Sequence, residues 1–224
     1  MVKAWRERGS GGLLILRAIP SLVFGLFIYY LGFVAILNSG LGMYPGGVFT
    51  VGVAAHIPIT IGQVNQMVQA TFLMFGWYLG FPPGLGTLAD LALSGIFIDL
   101  LISRGIVPTP TSIIGQLSFL FLGVALMGAG TYFYIRVLLG AGPMDGFMLG
   151  IHTKTKRPVS VVRGSIEIAL LAAGWALGGP IGIGTVITAL TIGYSVQLAF
   201  RIGRYDPDSK HVNLYELFRG TGEP

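Results

Sequence analysis

Gly76-Trp77-Tyr78-Leu79-Gly80-Phe81-Pro82-Pro83-Gly84-Leu85-Gly86-Thr87 returns 98 positions later as Gly174-Trp175-Ala176-Leu177-Gly178-Gly179-Pro180-Ile181-Gly182-Ile183-Gly184-Thr185. The same offset, with no gap, aligns Gly25 with Gly123, Gly32 with Gly130, Gly42 with Gly140 and Pro45 with Pro143. It continues through Phe49 and Phe147, Gly52 and Gly150, and Gly95 and Gly193. Apolar residues coincide easily in an apolar chain; glycine, proline and tryptophan do not. The chain is therefore a duplication. Each copy is almost wholly apolar, and internal repeats of that kind point toward transporters.

Composition sets the class. Of 224 residues 53% are hydrophobic and 10% charged, against about a quarter charged in ordinary soluble domains. The mean hydropathy is +0.77. A soluble domain of this length cannot hide so much apolar surface, so the chain reads as an integral membrane protein whose first partner is the lipid bilayer. It has no cysteine, which removes disulfides, thiolate metal sites and a cysteine nucleophile. The net charge of +5 follows membrane topology better than it follows a nucleic-acid partner. Lys3, Arg6 and Arg8 precede an apolar run that is too long for a cleaved secretion signal and lacks a small-residue cleavage site, so it reads as a first helix.

Crossing a hydrocarbon core takes about 20 apolar residues as helix. Six stretches qualify: 13–38, 60–80, 84–104, 113–139, 159–178 and 182–201. Phe81-Pro82-Pro83 and Gly179-Pro180 punctuate them, because proline lacks a donor and blocks a continuing helix. With the N-terminus inside, every Lys and Arg except Arg104 falls on the cytoplasmic half, including Lys154, Lys156, Arg157, Arg201, Arg204, Lys210 and Arg219. Both termini are thus expected in the cytoplasm and the protein in the cell membrane. Three crossings per copy is an odd number, so the second copy enters from the opposite side. The expected fold is an all-α membrane protein of six transmembrane helices, arranged as two inverted three-helix repeats. Its parts are a cytoplasmic segment 1–12, a first repeat 13–104, an external linker 105–112, a second repeat 113–201 and a cytoplasmic tail 202–224. Residues Asn213–Phe218 suit a short amphipathic helix or a disordered tail.

The links 39–58 and 140–158 are glycine-rich and only long enough for a half-helix of about ten residues. One reads Gly40-Leu41-Gly42-Met43-Tyr44-Pro45-Gly46-Gly47, the other Gly140-Ala141-Gly142-Pro143-Met144-Asp145-Gly146. Glycine permits an unusual backbone and proline suits the first helical position, so each link predicts a chain break followed by a short helix. Gly40, Gly42, Gly140, Gly142 and Gly146 are candidate gate glycines. Asp145 either caps its helix from the first turn or belongs to a site.

The Gly-Ala-Gly-Pro-Met-Asp-Gly run, followed about forty residues later by Gly182-Ile183-Gly184-Thr185, resembles the bacterial YczE/YyaS/YitT membrane-protein family. Members of that family typically carry a Gly-x-Gly-Pro-Trp-Asp-like segment and a downstream Gly-Ile-Gly-Thr; here Met144 stands in the tryptophan position. The resemblance runs over roughly 13 to 201 and is closest in the second half. It implies a six-span membrane protein and brings no substrate or ligand residues with it.

Ionisable groups inside a membrane are costly and face a cavity or a partner. Arg163 and Glu167 lie four apart and share a helix face. Glu167 is about eight residues into its span, roughly 12 Å deep at 1.5 Å per residue. The repeat places Gln69 opposite Glu167, Asn65 opposite Arg163, Thr188 opposite Asp90 and Gln197 opposite Asp99. Two polar stripes therefore approach one central region, to serve either as hydrogen-bonding glue between the halves or as a substrate or proton site. Candidate binding or coupling residues are Glu167, Arg163, Gln69, Asn65, Asp145 and Asp90, with Asp99 expected to be hydrated near the outer interface. The other repeated glycines read as helix packing, and Trp77 and Trp175 as interfacial anchors.

His56, His152 and His211 are not spaced as metal ligands, so neither a metal nor another cofactor is expected. Nor is there a set of residues for hydrolytic catalysis, and an enzyme is not expected. A secondary transporter or permease for a small solute or ion, working by alternating access, fits best. A channel and a non-transporting accessory or regulatory protein are the alternatives; a homo-oligomer is compatible with each.

Overall fold

A computed structural model describes residues 11–140, 142–205 and 211–213. The N-terminal basic residues Lys3, Arg6 and Arg8, and all of the expected Asn213–Phe218 helix but Asn213, lie outside the described residues. Among the described residues the chain is all-helical: α1 (Gly11–Ser39), α2 (Pro45–Ala54), α3 (Ile61–Tyr78), α4 (Leu85–Ser103), α5 (Ile113–Ile135), α6 (Pro143–Thr155), α7 (Val159–Ala176) and α8 (Ile183–Ile202). Five are long and apolar enough to cross a membrane, namely α1, α4, α5, α7 and α8. The expected span 60–80 appears as α3, whose 18 residues include Gln63, Asn65, Gln66 and Gln69. Those amides keep it outside the apolar set.

Both links form the short helices that their prolines suggest. Pro45 and Pro143 open α2 and α6, where the missing N–H costs nothing. Each is preceded by a glycine in the left-handed region, Gly42 at φ 108 and Gly140 at φ 126. Gly142 and Gly146 have no such need. Gly142 caps α6 at φ −58 and Gly146 lies inside that helix, so the conformational argument for these two is corrected.

The core is built on the crossing of α1 and α5. A Cβ on Gly25 would sit 2.5 Å from the Tyr134 nitrogen, and one on Gly32 2.6 Å from the Gly123 oxygen. Low residue numbers on α1 meet high numbers on α5, so the two helices run antiparallel. Bare backbone lets them touch where no side chain would fit. Around this seam pack Leu26, Tyr30, Phe33, Ile36, Leu120 and Met127, all nearly solvent-free.

Contacts elsewhere come in pairs related by the 98-residue offset. Gly86 N–H donates to the Leu139 carbonyl at 2.7 Å, and Gly184 N–H donates to the Leu41 carbonyl at 2.7 Å. The half-helix α2 packs on α7, and α6 packs on α3. Each short helix thus rests on the other copy. Gly174 receives the Phe49 backbone and Gly76 the Phe147 backbone.

One pair breaks the correspondence. Helices α3 and α4 are packed together, with a Cβ on Gly95 only 2.5 Å from the Gln66 side chain. Asp99 ties the same pair, accepting from Thr60 Oγ1 at 2.6 Å and from Gly62 N–H at 3.0 Å. It holds the start of α3 rather than only water. Among the described residues, the counterparts α7 and α8 are not packed in this way. A Cβ on Gly164 or Gly193 would meet nothing within 4 Å.

Candidate functional site

The polar residues collect where α1, α3, α4, α5, α6 and α7 converge. Asp90, 8% exposed, accepts a hydrogen bond from the Tyr30 hydroxyl at 2.5 Å. That hydroxyl in turn accepts from Gln69 Nε2 at 2.8 Å. A carboxylate buried in this way needs donors, and the Tyr30–Gln69 relay supplies them from two neighbouring helices. Asn65, one turn before Gln69 on the same face of α3, is 7% exposed. Its Nδ2 and the Gln69 Oε1 are buried with no hydrogen-bond partner.

On the other side, Arg163 Nε donates to Glu167 Oε1 at 3.1 Å. The Arg163 Nη1 lies 3.7 Å from Asp145 Oδ1. The Asp145 carboxylate turns to Arg163 and is also hydrogen-bonded by the Gly142 backbone, and its place in the first turn suits the helix dipole. The half-helix and α7 are thereby joined by charge. The Arg163 and Glu167 side chains are 50% and 34% exposed, on the helix that is not packed against α8.

Gly142 links the two groups. A Cβ at that position would lie 3.4 Å from Asp145 Oδ2, 3.6 Å from the Tyr134 hydroxyl and 3.9 Å from Asp90 Oδ2. Two carboxylates and a phenol thus border one small space at the start of α6. Tyr29 crosses Tyr30 and Tyr134 edge-on, with ring centroids 5.1 and 6.3 Å away.

Five of the six candidate polar residues thus fall into two connected groups, Asp90 with Gln69 through Tyr30 and Asp145 with Arg163 and Glu167, while Asn65 stands one turn from Gln69 with its Nδ2 unpaired. Tyr30 and Tyr134 were missed from the sequence, because a tyrosine in an apolar helix is indistinguishable from core until its hydroxyl partner is known. The site is also one-sided. Thr188 of the second half and Gly47 of the first stand in the places matching Asp90 and Asp145, so the duplicated glycine frame carries an unduplicated acidic pair. Gly40, Gly42 and Gly140 shape the links, while Gly146 touches nothing that a Cβ would meet within 4 Å. Among the described residues no three His, Cys, Asp or Glu are grouped to hold a metal ion.

The C-terminal segment reaches the second link as well. Val212 N–H donates to the Leu138 carbonyl at 2.8 Å, and the Tyr205 hydroxyl lies 3.4 Å from His211 Nε2. Burial holds His211 below the ordinary imidazole range, against the pull of the nearby Asp145 carboxylate and the Gly140 backbone.

The family profile described as "Family of unknown function (DUF6198)" matches residues 16–201. An uncharacterized protein of Haemophilus influenzae is 35% identical over 83% of this chain and 84% of its own. The uncharacterized membrane protein YczE of Bacillus subtilis is 35% identical over 88% of this chain and 89% of its own. The uncharacterized protein YyaS of the same organism is 29% identical over 73% of this chain and 83% of its own. No solved structure matches.

Proposed function

This chain belongs to the YczE/YyaS family (DUF6198) of membrane proteins, and we propose that it is a secondary transporter of a small solute, built as two inverted three-helix repeats. In this reading α3 is the sixth crossing, its amides facing inward to the site. Both termini lie in the cytoplasm of a cell-membrane protein, and the polar cluster binds rather than catalyses.

One observation carries the proposal: two copies of one sequence pattern adopt two different packings. The α3–α4 pair is closed through Gly62, Gly95 and Asp99, whereas α7–α8 is open at the matching positions. A pseudo-two-fold molecule has a mirror alternative in which the roles exchange, and exchange of this kind is the basis of alternating access. The antiparallel α1–α5 seam and the reciprocal Leu41–Gly184 and Leu139–Gly86 bonds support the inversion. The acidic site beside the open pair gives the exchange something to expose.

Reconstitution into liposomes tests the reading. A carrier gives saturable solute exchange that Glu167→Gln and Arg163→Gln reduce. Conductance far above carrier turnover would make it a channel. Full biological function retained in both variants, with no flux, would make it an accessory protein.

A further inference from the structure

We propose that the C-terminal segment at Val212 is a latch on the second link: it holds the strained turn at Leu138 shut, and its release frees the link and the start of α6. The latch stands on contacts within the chain, while its use in gating a solute rests on the transporter reading.

Backbone strain argues first. Leu138 sits in the left-handed region at φ 60, where a bulky residue is rare and costly. Lys156 and Arg204 share that region, but both are exposed and follow helix ends, whereas Leu138 is 3% exposed. The matching turn of the first repeat is made by Gly40 at φ 70. Both turns are closed by the same bond, from Gly40 N–H to the Leu37 carbonyl at 3.3 Å and from Leu138 N–H to the Ile135 carbonyl at 2.9 Å. One frame thus builds the turn twice, once with the residue that suits it and once with a residue that does not. A turn strained in this way persists only where its surroundings hold it.

The holding contact argues second. Val212 N–H donates to the Leu138 carbonyl at 2.8 Å, so the segment grips the strained residue itself. The preceding residue, His211, lies beside Asp145 and the Gly140 backbone, and its Nε2 is 3.4 Å from the Tyr205 hydroxyl. Tyr205 is fixed to the end of α8 by its N–H to the Phe200 carbonyl at 2.9 Å and by ring contact with Phe200 at 4.8 Å. The segment therefore ties together the end of α8, the turn after α5 and the start of α6. An exchange of packing that carries α6 away from the end of α8 has to break this tie.

Hydrogen exchange of the two links, in full-length protein in detergent, tests the latch. Val212→Pro removes the donating N–H, whereas Val212→Ala keeps it. The proline variant should speed exchange in the second link about tenfold or more, the scale of one lost hydrogen bond at a left-handed residue. The first link, built on the same frame without this contact, should keep its rate and serves as the internal control. The alanine variant should change neither. His211→Ala, which removes the tie to Tyr205 and keeps every backbone N–H, should speed the second link by a smaller factor. Adding Leu138→Gly to Val212→Pro should bring the rate back toward the native one, because glycine makes this turn in the first repeat. Met144→Cys, in a chain with no native cysteine, should react faster with a membrane-impermeant maleimide once Val212→Pro is added. Unchanged exchange in both release variants, equal acceleration of the two links, acceleration that Leu138→Gly does not reduce, or unchanged reactivity at 144 would overturn the proposal. A latch found in a protein that moves no solute across liposomes would leave it standing and sink only the carrier reading.

Discussion

At the scale of single residues, the glycines divide by what surrounds them rather than by motif. Gly32 and Gly193 both lie on helices, and both belong to the repeat. A Cβ on Gly32 would press into the Gly123 carbonyl at 2.6 Å, between two backbones that cannot yield, while one on Gly193 would meet nothing. Overpacking a tight contact costs about 1–3 kcal/mol, whereas replacing an exposed helical glycine by alanine gains up to about 1 kcal/mol. Gly32→Ala should therefore lower the stability measured by denaturant titration in mixed micelles, and Gly193→Ala should leave it unchanged or raise it. Equal losses at both positions would mean that α8 packs more closely in the membrane than the geometry of Gly193 allows. The sequence made these glycines visible as a class through their 98-residue pairing. It did not separate a helix crossing from an open face, because that depends on what lies opposite.

At the scale of elements, the half-helices were legible because proline and glycine act locally, and the Arg163–Glu167 pair because helix spacing is local too. Asp99 was not. Its role at the start of α3 depends on Thr60 and Gly62, 39 and 37 positions away, and no periodicity encodes that. The C-terminal segment was equally opaque. The backbone bond from Val212 to Leu138 spans most of the second repeat, and it docks His211 against the link that carries Asp145. His211 is faced there by Asp145, itself beside Arg163, and by Tyr205. Because burial lowers the docked imidazole below its ordinary value, the docked segment binds fewer protons than the released one. Docking should then be complete above the free histidine range, near pH 6.5, and weaken as the pH falls through and below it. A spin label on Asn213→Cys, in a chain with no native cysteine, should become more mobile between pH 8 and pH 5. His211→Gln should flatten that profile. A label that loosens equally in the glutamine variant would show that another group controls the segment.

At the scale of the whole molecule, the duplication predicted which parts correspond but not that corresponding parts differ. Two copies of one frame can each be stable in two packings only if the packings are close in free energy, because interfaces of small residues switch between discrete arrangements. The closed α3–α4 pair then serves as a template for a closed α7–α8 pair. Gly62 corresponds to Ser160, Gln66 to Gly164 and Gly95 to Gly193. In the first repeat Gln66 bridges the helices, donating to the Leu91 and Ala92 carbonyls at 3.1 and 2.9 Å. Gly164 has no side chain to do so, which leaves the second pair easier to part. Cysteines at 164 and 193 fit without collision, since both positions are open. In membranes a short bifunctional thiol reagent should link them in a fraction of molecules that grows when the α3–α4 side is forced apart by Asp99→Asn. Labelling of single cysteines at 44 and 144 should occur from opposite faces of the bilayer if the repeats are inverted. Linkage at 164 and 193 that ignores Asp99, or labelling of 44 and 144 from one face, would leave a static bundle in which the open pair is an ordinary lipid-filled seam.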